Sequence, residues 1–175
     1  KKVNFTPVPV LLDEYKQDFI NPRIKNGISK EDFVFLMLGR VSKIKGQDLG
    51  VAAFIKAKKN IPKAKLIIIG RTDLESIFAE KIKQQITEYK KDILLMGEVE
   101  RDEVLGWLKY CNIHVIPVRF MNSGAVVTET WASNTPVLQS NVVDPQLVID
   151  NVNGFIFNSE DIEDLSKKMV EVYNK

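Results

Sequence analysis

Short apolar runs punctuate the chain: FVFLML at 33–38, KLIIIG at 65–70, ILLMG at 93–97, NIHVIPV at 112–118 and TPVLQS at 135–140. Hydrophobicity that is continuous rather than alternating marks strands covered on both faces. The stretches between the runs change to helical spacing. Within 73–89, Leu74, Ile77, Phe78, Ile82, Ile86 and Tyr89 follow the three-and-four rule, and Thr72 with Glu75 has the spacing of a capping box. Near the end, Ile162, Leu165, Met169 and Val172 fall on one helical face behind Asn158 and Ser159, two candidate caps. Strand and helix alternating at this rhythm require right-handed crossovers and an open parallel sheet. The expected fold is therefore α/β, a Rossmann-like doubly wound parallel sheet, in which ligands sit outside the carboxyl ends of the strands.

Composition narrows the class of function. The chain has 175 residues, of which 45% are hydrophobic and 27% charged, ordinary for a globular domain. A domain of this size buries roughly 70% of its extended surface and needs no disulfide or metal to support its core. Cys111 is the single cysteine, which excludes an internal disulfide and fits a reducing compartment. A net charge of +2, from 25 basic and 23 acidic side chains, is too small to argue for nucleic acid or an anionic membrane surface, and no nucleic-acid partner is expected. No apolar run approaches the roughly 20 residues that cross a bilayer, and no signal-peptide pattern is present, so a cytoplasmic protein is expected. The chain starts at Lys1 with KKVNFTPVPV, which reads as a strand and linker joined partway. The expectation is a piece of a larger protein, with 1–30 as a linker and lead-in and 31–175 as the folded domain.

Two stretches carry candidate chemistry. GRVSKIKGQ, residues 39–47, follows the first apolar run and brackets three basic residues between two glycines. It lacks the G-x-G-x-x-G of dinucleotide sites and the G-x-x-x-x-G-K-[ST] of phosphate loops. Arg40 and Lys45 instead flank the turn, an arrangement that meets phosphate charge with side chains. Taken alone, it also fits a solvated basic loop. The second stretch is MNSGAVVTETWASNTPVL, residues 121–138. Ser123 and Gly124 precede a short helix, Asn134 suits its left-handed end, and Pro136 stops it. A helix N-terminus at the ligand edge offers free N–H groups and a positive dipole end. Glu129, just over one turn in, leans back toward that N-terminus, either to accept bonds from hydroxyls beside a phosphate or as a solvated glutamate favoured by the dipole.

Taken in order, these segments resemble the C-terminal half of a GT-B glycosyltransferase, specifically the glycogen-synthase-like retaining family (family four). GRVSKIKG is similar to the family's G-R-x-x-x-x-K-G, and KLIIIG to its next strand and glycine. ILLMGEVERDEVLGWLKYCNIHVIPV is similar to its third strand, short helix and fourth strand. ETWASNTPVL resembles E-A-x-A-x-G-x-P-V, and VIDNVNGFIF resembles the E-x-G-x-N-G-F segment. The resemblance covers about residues 33–170. It implies a donor-binding domain that transfers a sugar from a nucleoside diphosphate sugar to an acceptor hydroxyl, without metal and without a further cofactor.

Carried over position by position, the resemblance implies that Arg40 and Lys45 meet the donor pyrophosphate in a loop opened by Gly39. Glu129 would take the ribose hydroxyls, the N–H groups of Gly124 and Ala125 the distal phosphate, and Gly97 and Glu98 would flank the base. The acceptor, a glycan, lipid or small molecule, would be bound by a missing N-terminal domain, to which any contact with the inner membrane face would also belong. One departure stands out. The family's E-G-F-G is MNSG here, placing Met121 where the first of two glutamates contacts the donor sugar; Ser123 lies beside this departure, and Asn122 is the nearest polar substitute. That change motivates an alternative, a catalytically silent nucleotide-binding or scaffold domain of the same fold. A sugar-nucleotide 2-epimerase is a further alternative, disfavoured by GRVSKIKG and by the absence of acid and base candidates.

Other reactive residues read as structural. His114 lies within a presumptive strand with no triad or metal spacing around it, Cys111 reads as a small buried hydrophobe, and Trp107 and Trp131 as packing. Arg71 and Arg119 sit at strand ends, where each is a candidate phosphate contact without a motif.

Overall fold

The computed structural model describes residues 9–120, 124–144 and 146–175. Six parallel strands form one sheet in the order β3-β2-β1-β4-β5-β6. They are β1 (Phe33–Leu38), β2 (Ala64–Ile69), β3 (Ile93–Gly97), β4 (Ile113–Ile116), β5 (Val137–Ser140) and β6 (Phe155–Phe157). The order runs outward from β1 in both directions, so a topological switch point lies between β1 and β4, where loops diverge to opposite faces.

The apolar runs become strands because each buries both rows of its side chains. In β1, Phe35 and Met37 enter the core on one face, while Val34 and Leu36 enter a separate core on the other. In β2, Leu66 and Ile68 extend the first core, and Ile67 and Ile69 the second. Each such side chain contributes roughly 1.5–3 kcal/mol of burial. The first face is covered by α3 (Gln47–Ala57), α4 (Ser76–Gln85) and α7 (Ile162–Tyr173), with Val51, Phe54, Ile82, Leu165 and Met169 turned inward. The second is covered by α5 (Arg101–Tyr110), which buries Leu105, Trp107 and Leu108. A smaller cluster under α6 (Ala125–Ala132) joins Val127 to Ile116, Val137 and Val143.

Residues 9–30 pack against the domain. They contain two single-turn helices, α1 (Leu12–Tyr15) and α2 (Pro22–Lys25), and bury Tyr15 and Ile28 against the second core. Arg23 pins this segment: its guanidinium donates to Tyr110 O at 3.3 Å, to Ser29 O at 2.6 Å, and to Asp32 O. Among the described residues no helix is long and apolar enough to cross a membrane.

Two helix starts differ from expectation. The helix expected from 73 begins at Ser76, and no Thr72–Glu75 capping box forms, because the Glu75 carboxylate accepts from Lys43 N at 3.0 Å instead. The cap of α7 is Asp161, whose Oδ1 accepts from Asp164 N at 2.9 Å, one turn later than Asn158 and Ser159 would set it.

Candidate functional site

The sheet's bonding pattern continues past its strands and knits the loops at its carboxyl edge into one floor. Gly39 N donates to Ile69 O at 2.9 Å, Val41 N to Arg71 O at 2.8 Å, and Gly70 N to Gly97 O at 2.8 Å. Gly70 is required here. Its φ is +150°, and a Cβ at this position would lie 2.1 Å from Gly39 O. The β1 and β2 loops therefore touch backbone to backbone, which sets the spacing of Arg40 and Arg71.

GRVSKIKGQ leaves β1, turns through one 3₁₀ turn at Lys43–Lys45, and enters α3 at Gln47. Gly46, with φ +72°, makes the junction; a Cβ there would lie 1.9 Å from Pro117 O. The second glycine of the bracket thus lets the loop seat directly on the end of β4. Gln47, 1% exposed, staples the interior of the turn. Its Nε2 donates to Gly39 O at 3.2 Å and Arg40 O at 3.1 Å, and its Oε1 accepts from Ser42 N at 3.2 Å. Arg119 braces the turn from the β4 side: its guanidinium donates to Lys43 O at 2.6 Å and to both Asp48 oxygens at 2.8 Å, and its Nε to Glu160 at 2.9 Å. These bonds to Asp48 and Glu160 push the Arg119 guanidinium further above its already high range. Arg119 is therefore committed to the scaffold rather than free for a phosphate.

Of the residues expected from the sequence, Gly39, Arg40, Glu98 and Lys45 lie around this floor. Gly39, Arg40, Gly70, Arg71, Glu98 and Val99 line a hollow of about 400 Å³. Arg71 is held by Asp73, with its Nη2 2.8 Å from a carboxylate oxygen, and lies 4.0 Å from Glu98. Lys45 lines the adjoining crevice between β1 and β4 with Gln47, Pro117 and Val126, and Leu38 borders both spaces. Val126 belongs to the first turn of α6, whose start at Gly124 and Ala125 therefore faces the switch point. Among the described residues, neither Arg40 nor Lys45 has a hydrogen bond or ion pair from its side chain. Glu129 is half-buried one turn into α6, with Oε1 3.8 Å from the Arg101 guanidinium. Gly97 ends β3, and Glu98 follows it into the hollow. Asn122 and Ser123, with Met121, lie outside the described residues.

Residues set aside on sequence grounds are structural. His114 is buried; its Nδ1 is 2.7 Å from Thr130 Oγ1, and burial pushes its pKa down to about 3. Thr130 already donates its one hydroxyl proton to Val126 O at 2.6 Å, so the His114 Nδ1 carries the proton between them. Cys111 is half-buried at the margin of the second core rather than fully buried, and burial pushes its thiol up to about 12, which keeps it protonated. Trp107 is fully buried in the second core. Sequence reasoning passed over Gln47, Arg119 as a brace, and Arg101. The only signal for Gln47 was a polar residue opening a helix beside residues that are buried, Gly46, Leu49 and Gly50.

The fold is that of one Rossmann-like half of a GT-B glycosyltransferase. Residues 32–175 match the family described as Glycosyl transferases group 1, and the chain belongs to that family. An uncharacterized glycosyltransferase of Methanocaldococcus jannaschii is 29% identical over 160 residues, 86% of this chain and 43% of that protein. A glycosyltransferase structure from Rickettsia africae superposes with a TM-score of 0.83 at 18% identity, covering 94% of this chain and 45% of that one. Anabaena HepE, solved in complex with UDP and glucose, superposes with a TM-score of 0.77 at 22% identity, covering 91% and 44%. The chain thus spans less than half the length of these relatives.

Proposed function

We propose that this chain is the donor-binding domain of a retaining glycosyltransferase, which moves a sugar from a nucleoside diphosphate sugar to an acceptor hydroxyl. The observation that carries the reading is selective pairing. At the sheet's carboxyl edge Arg71, Arg101 and Arg119 are all engaged by carboxylates, while Arg40 and Lys45 have no such engagement among the described residues. Two unneutralised cations held on a stapled loop, facing a helix N-terminus across a switch point, suit a diphosphate. The complex of Anabaena HepE with UDP-glucose supports a nucleotide sugar as the ligand class.

In this reading Arg40 and Lys45 meet the pyrophosphate, and the N–H groups at Gly124 and Ala125 meet the distal phosphate. Glu129 accepts from the ribose hydroxyls, and Gly97 and Glu98 flank the base. Negative charge grows on the leaving diphosphate as the bond to the sugar breaks, so the two cations stabilise the transition state more than the ground state. They fill the role a metal ion plays in other nucleotide-sugar sites. The acceptor is bound by a further domain.

The test is thermal unfolding with UDP, GDP and ADP, each with and without magnesium. A ligand at 100 times its dissociation constant adds about 2.7 kcal/mol. The expected result is a shift with one diphosphate, independent of magnesium and abolished by Arg40→Ala with Lys45→Ala. A shift that survives both substitutions, or one that requires magnesium, overturns the assignment. Met121 favours a second reading, a domain that binds the nucleotide but no longer transfers. Transfer by the intact protein that appears only with Met121→Glu would establish it.

A further inference from the structure

We propose that Arg101 is a positioning residue: it orients the Glu129 carboxylate toward the ribose of a bound nucleoside diphosphate and ties it to the lead-in segment through Glu14 and Tyr15. The inference rests on the donor-site reading of Glu129 given above.

Arg101 is the first residue of α5. Val99 before it and Val104 after it line the hollow that holds Arg40, so its backbone is fixed at the rim. Its guanidinium forks onto Glu14, with Nε 2.8 Å from Oε1 and Nη2 3.2 Å from Oε2. Nη2 also donates to the Tyr15 hydroxyl at 3.1 Å, and the guanidinium lies 5.8 Å from the centre of the Tyr15 ring. Tyr15 is 6% exposed and packed into the second core, so the platform beneath the cation is rigid. The fork to Glu14 leads the interactions that raise the Arg101 pKa above its normal value, so the positive charge is permanent.

The contact with Glu129 is of a different kind. At 3.8 Å the pair attracts but does not hydrogen-bond, and the Glu129 carboxylate makes no side-chain hydrogen bond or other ion pair among the described residues, the Tyr15 hydroxyl being its other electrostatic neighbour. A cation in that place fixes the direction of the carboxylate while leaving both oxygens open to accept from a pair of adjacent hydroxyls. An arginine serving only to pin the lead-in segment would need Glu14 and Tyr15 but not a carboxylate on α6. The arrangement also links the lead-in segment to the ligand site, because a shift of Glu14 moves the group that orients Glu129.

The test compares the binding of UDP, GDP or ADP, whichever binds the intact protein, with its 2′-deoxy analogue by titration calorimetry. The ribonucleotide should bind about tenfold more tightly or better, the contribution of a charged hydrogen bond. Arg101→Gln should reduce that preference to about twofold while changing binding of the deoxy analogue little. Arg101→Lys, which keeps the charge without the fork, should restore part of it, and remains informative if Arg101→Gln folds poorly. Glu129→Gln should remove the preference, and adding Arg101→Gln to it should change nothing more. If Glu129→Gln removes the preference while Arg101→Gln and Arg101→Lys leave it intact, the positioning role is overturned and Glu129 keeps its assignment. If Glu129→Gln itself leaves the preference intact, the donor-site reading of Glu129 fails and this inference falls with it.

Discussion

Arg119 donates to both carboxylate oxygens of Asp48 at 2.8 Å, across 71 residues of chain, and this fork joins the end of β4 to the first turn of α3. The loop between β1 and α3 is closed by the same side chain, through its bond to Lys43 O. The basic turn is thus held from outside by Arg119 and from inside by Gln47, and of the cations lining the hollows Arg40 and Lys45 carry no ion pair among the described residues, whereas Arg71 is held by Asp73.

Removing the fork should loosen the turn. The Arg119 side chain is 10% exposed and that of Asp48 29%, so the pair is largely shielded from water. Arg119→Ala leaves the Asp48 carboxylate partly buried without its partner and should cost about 2 kcal/mol in urea unfolding. Arg119→Lys should recover less than half of this, since an ammonium cannot bond both oxygens in a plane. A loss for Arg119→Ala below about 0.5 kcal/mol, as for a solvated surface pair, would refute the brace.

Contact between the β1 and β2 loops predicts a sharper effect at Gly70. Any side chain there meets Gly39 O at 2.1 Å with the backbone at φ +150°. Gly70→Ala must therefore separate the loops, breaking the bond from Gly70 N to Gly97 O or moving Gly39. The expected loss is about 3 kcal/mol, accompanied by weaker diphosphate binding because Arg40 moves with Gly39. Gly97→Ala is the useful comparison. Its Cβ meets nothing within 4 Å, so only the backbone cost of about 1–2 kcal/mol for a left-handed residue applies.

How far the sequence spoke for itself depended on the range of the interactions. The strands from FVFLML to TPVLQS were legible because burial on both faces writes itself as a continuous apolar run. β6 is three residues long, Phe155–Phe157, too short for any period to register, and was visible only within a family-like segment. The residues around GRVSKIKGQ were legible as a group because the motif is local. Their supports were not: Arg23 reaches Tyr110 across 87 residues, Arg101 reaches Glu14 across 87, and Arg119 reaches Asp48 across 71. Nothing in a linear pattern distinguishes a committed arginine from a free one. Glu75 shows the same limit on a smaller scale, since a carboxylate with capping-box spacing in sequence accepts from the backbone of Lys43 instead.

His114 predicts how stability responds to acid. Burial lowers its pKa from 6.5 to about 3, so the folded state keeps the ring neutral where the unfolded chain is protonated. Between those values the unfolded chain binds more protons, and stability therefore rises with pH. The contribution is fully present above pH 6.5 and is lost progressively as pH falls toward 3. His114→Gln, which can still donate to Thr130, should flatten the dependence of the melting temperature on pH between 6 and 4. An unchanged acid limb in the variant would show that the ring is not held neutral.

Gln139 in β5 is 0% exposed, and both its Nε2 and Oε1 lack a hydrogen-bond partner among the described residues. Its neighbours across the sheet are Ile116 and Ile156, so its side chain enters the small cluster beneath α6. Two unpaired polar atoms in apolar surroundings each cost about 1–3 kcal/mol. Gln139→Met has nearly the same shape without that cost, and should raise stability by about 1–2 kcal/mol in urea unfolding. A loss of stability instead would mean that the amide is hydrogen-bonded in solution, by a water held within the cluster.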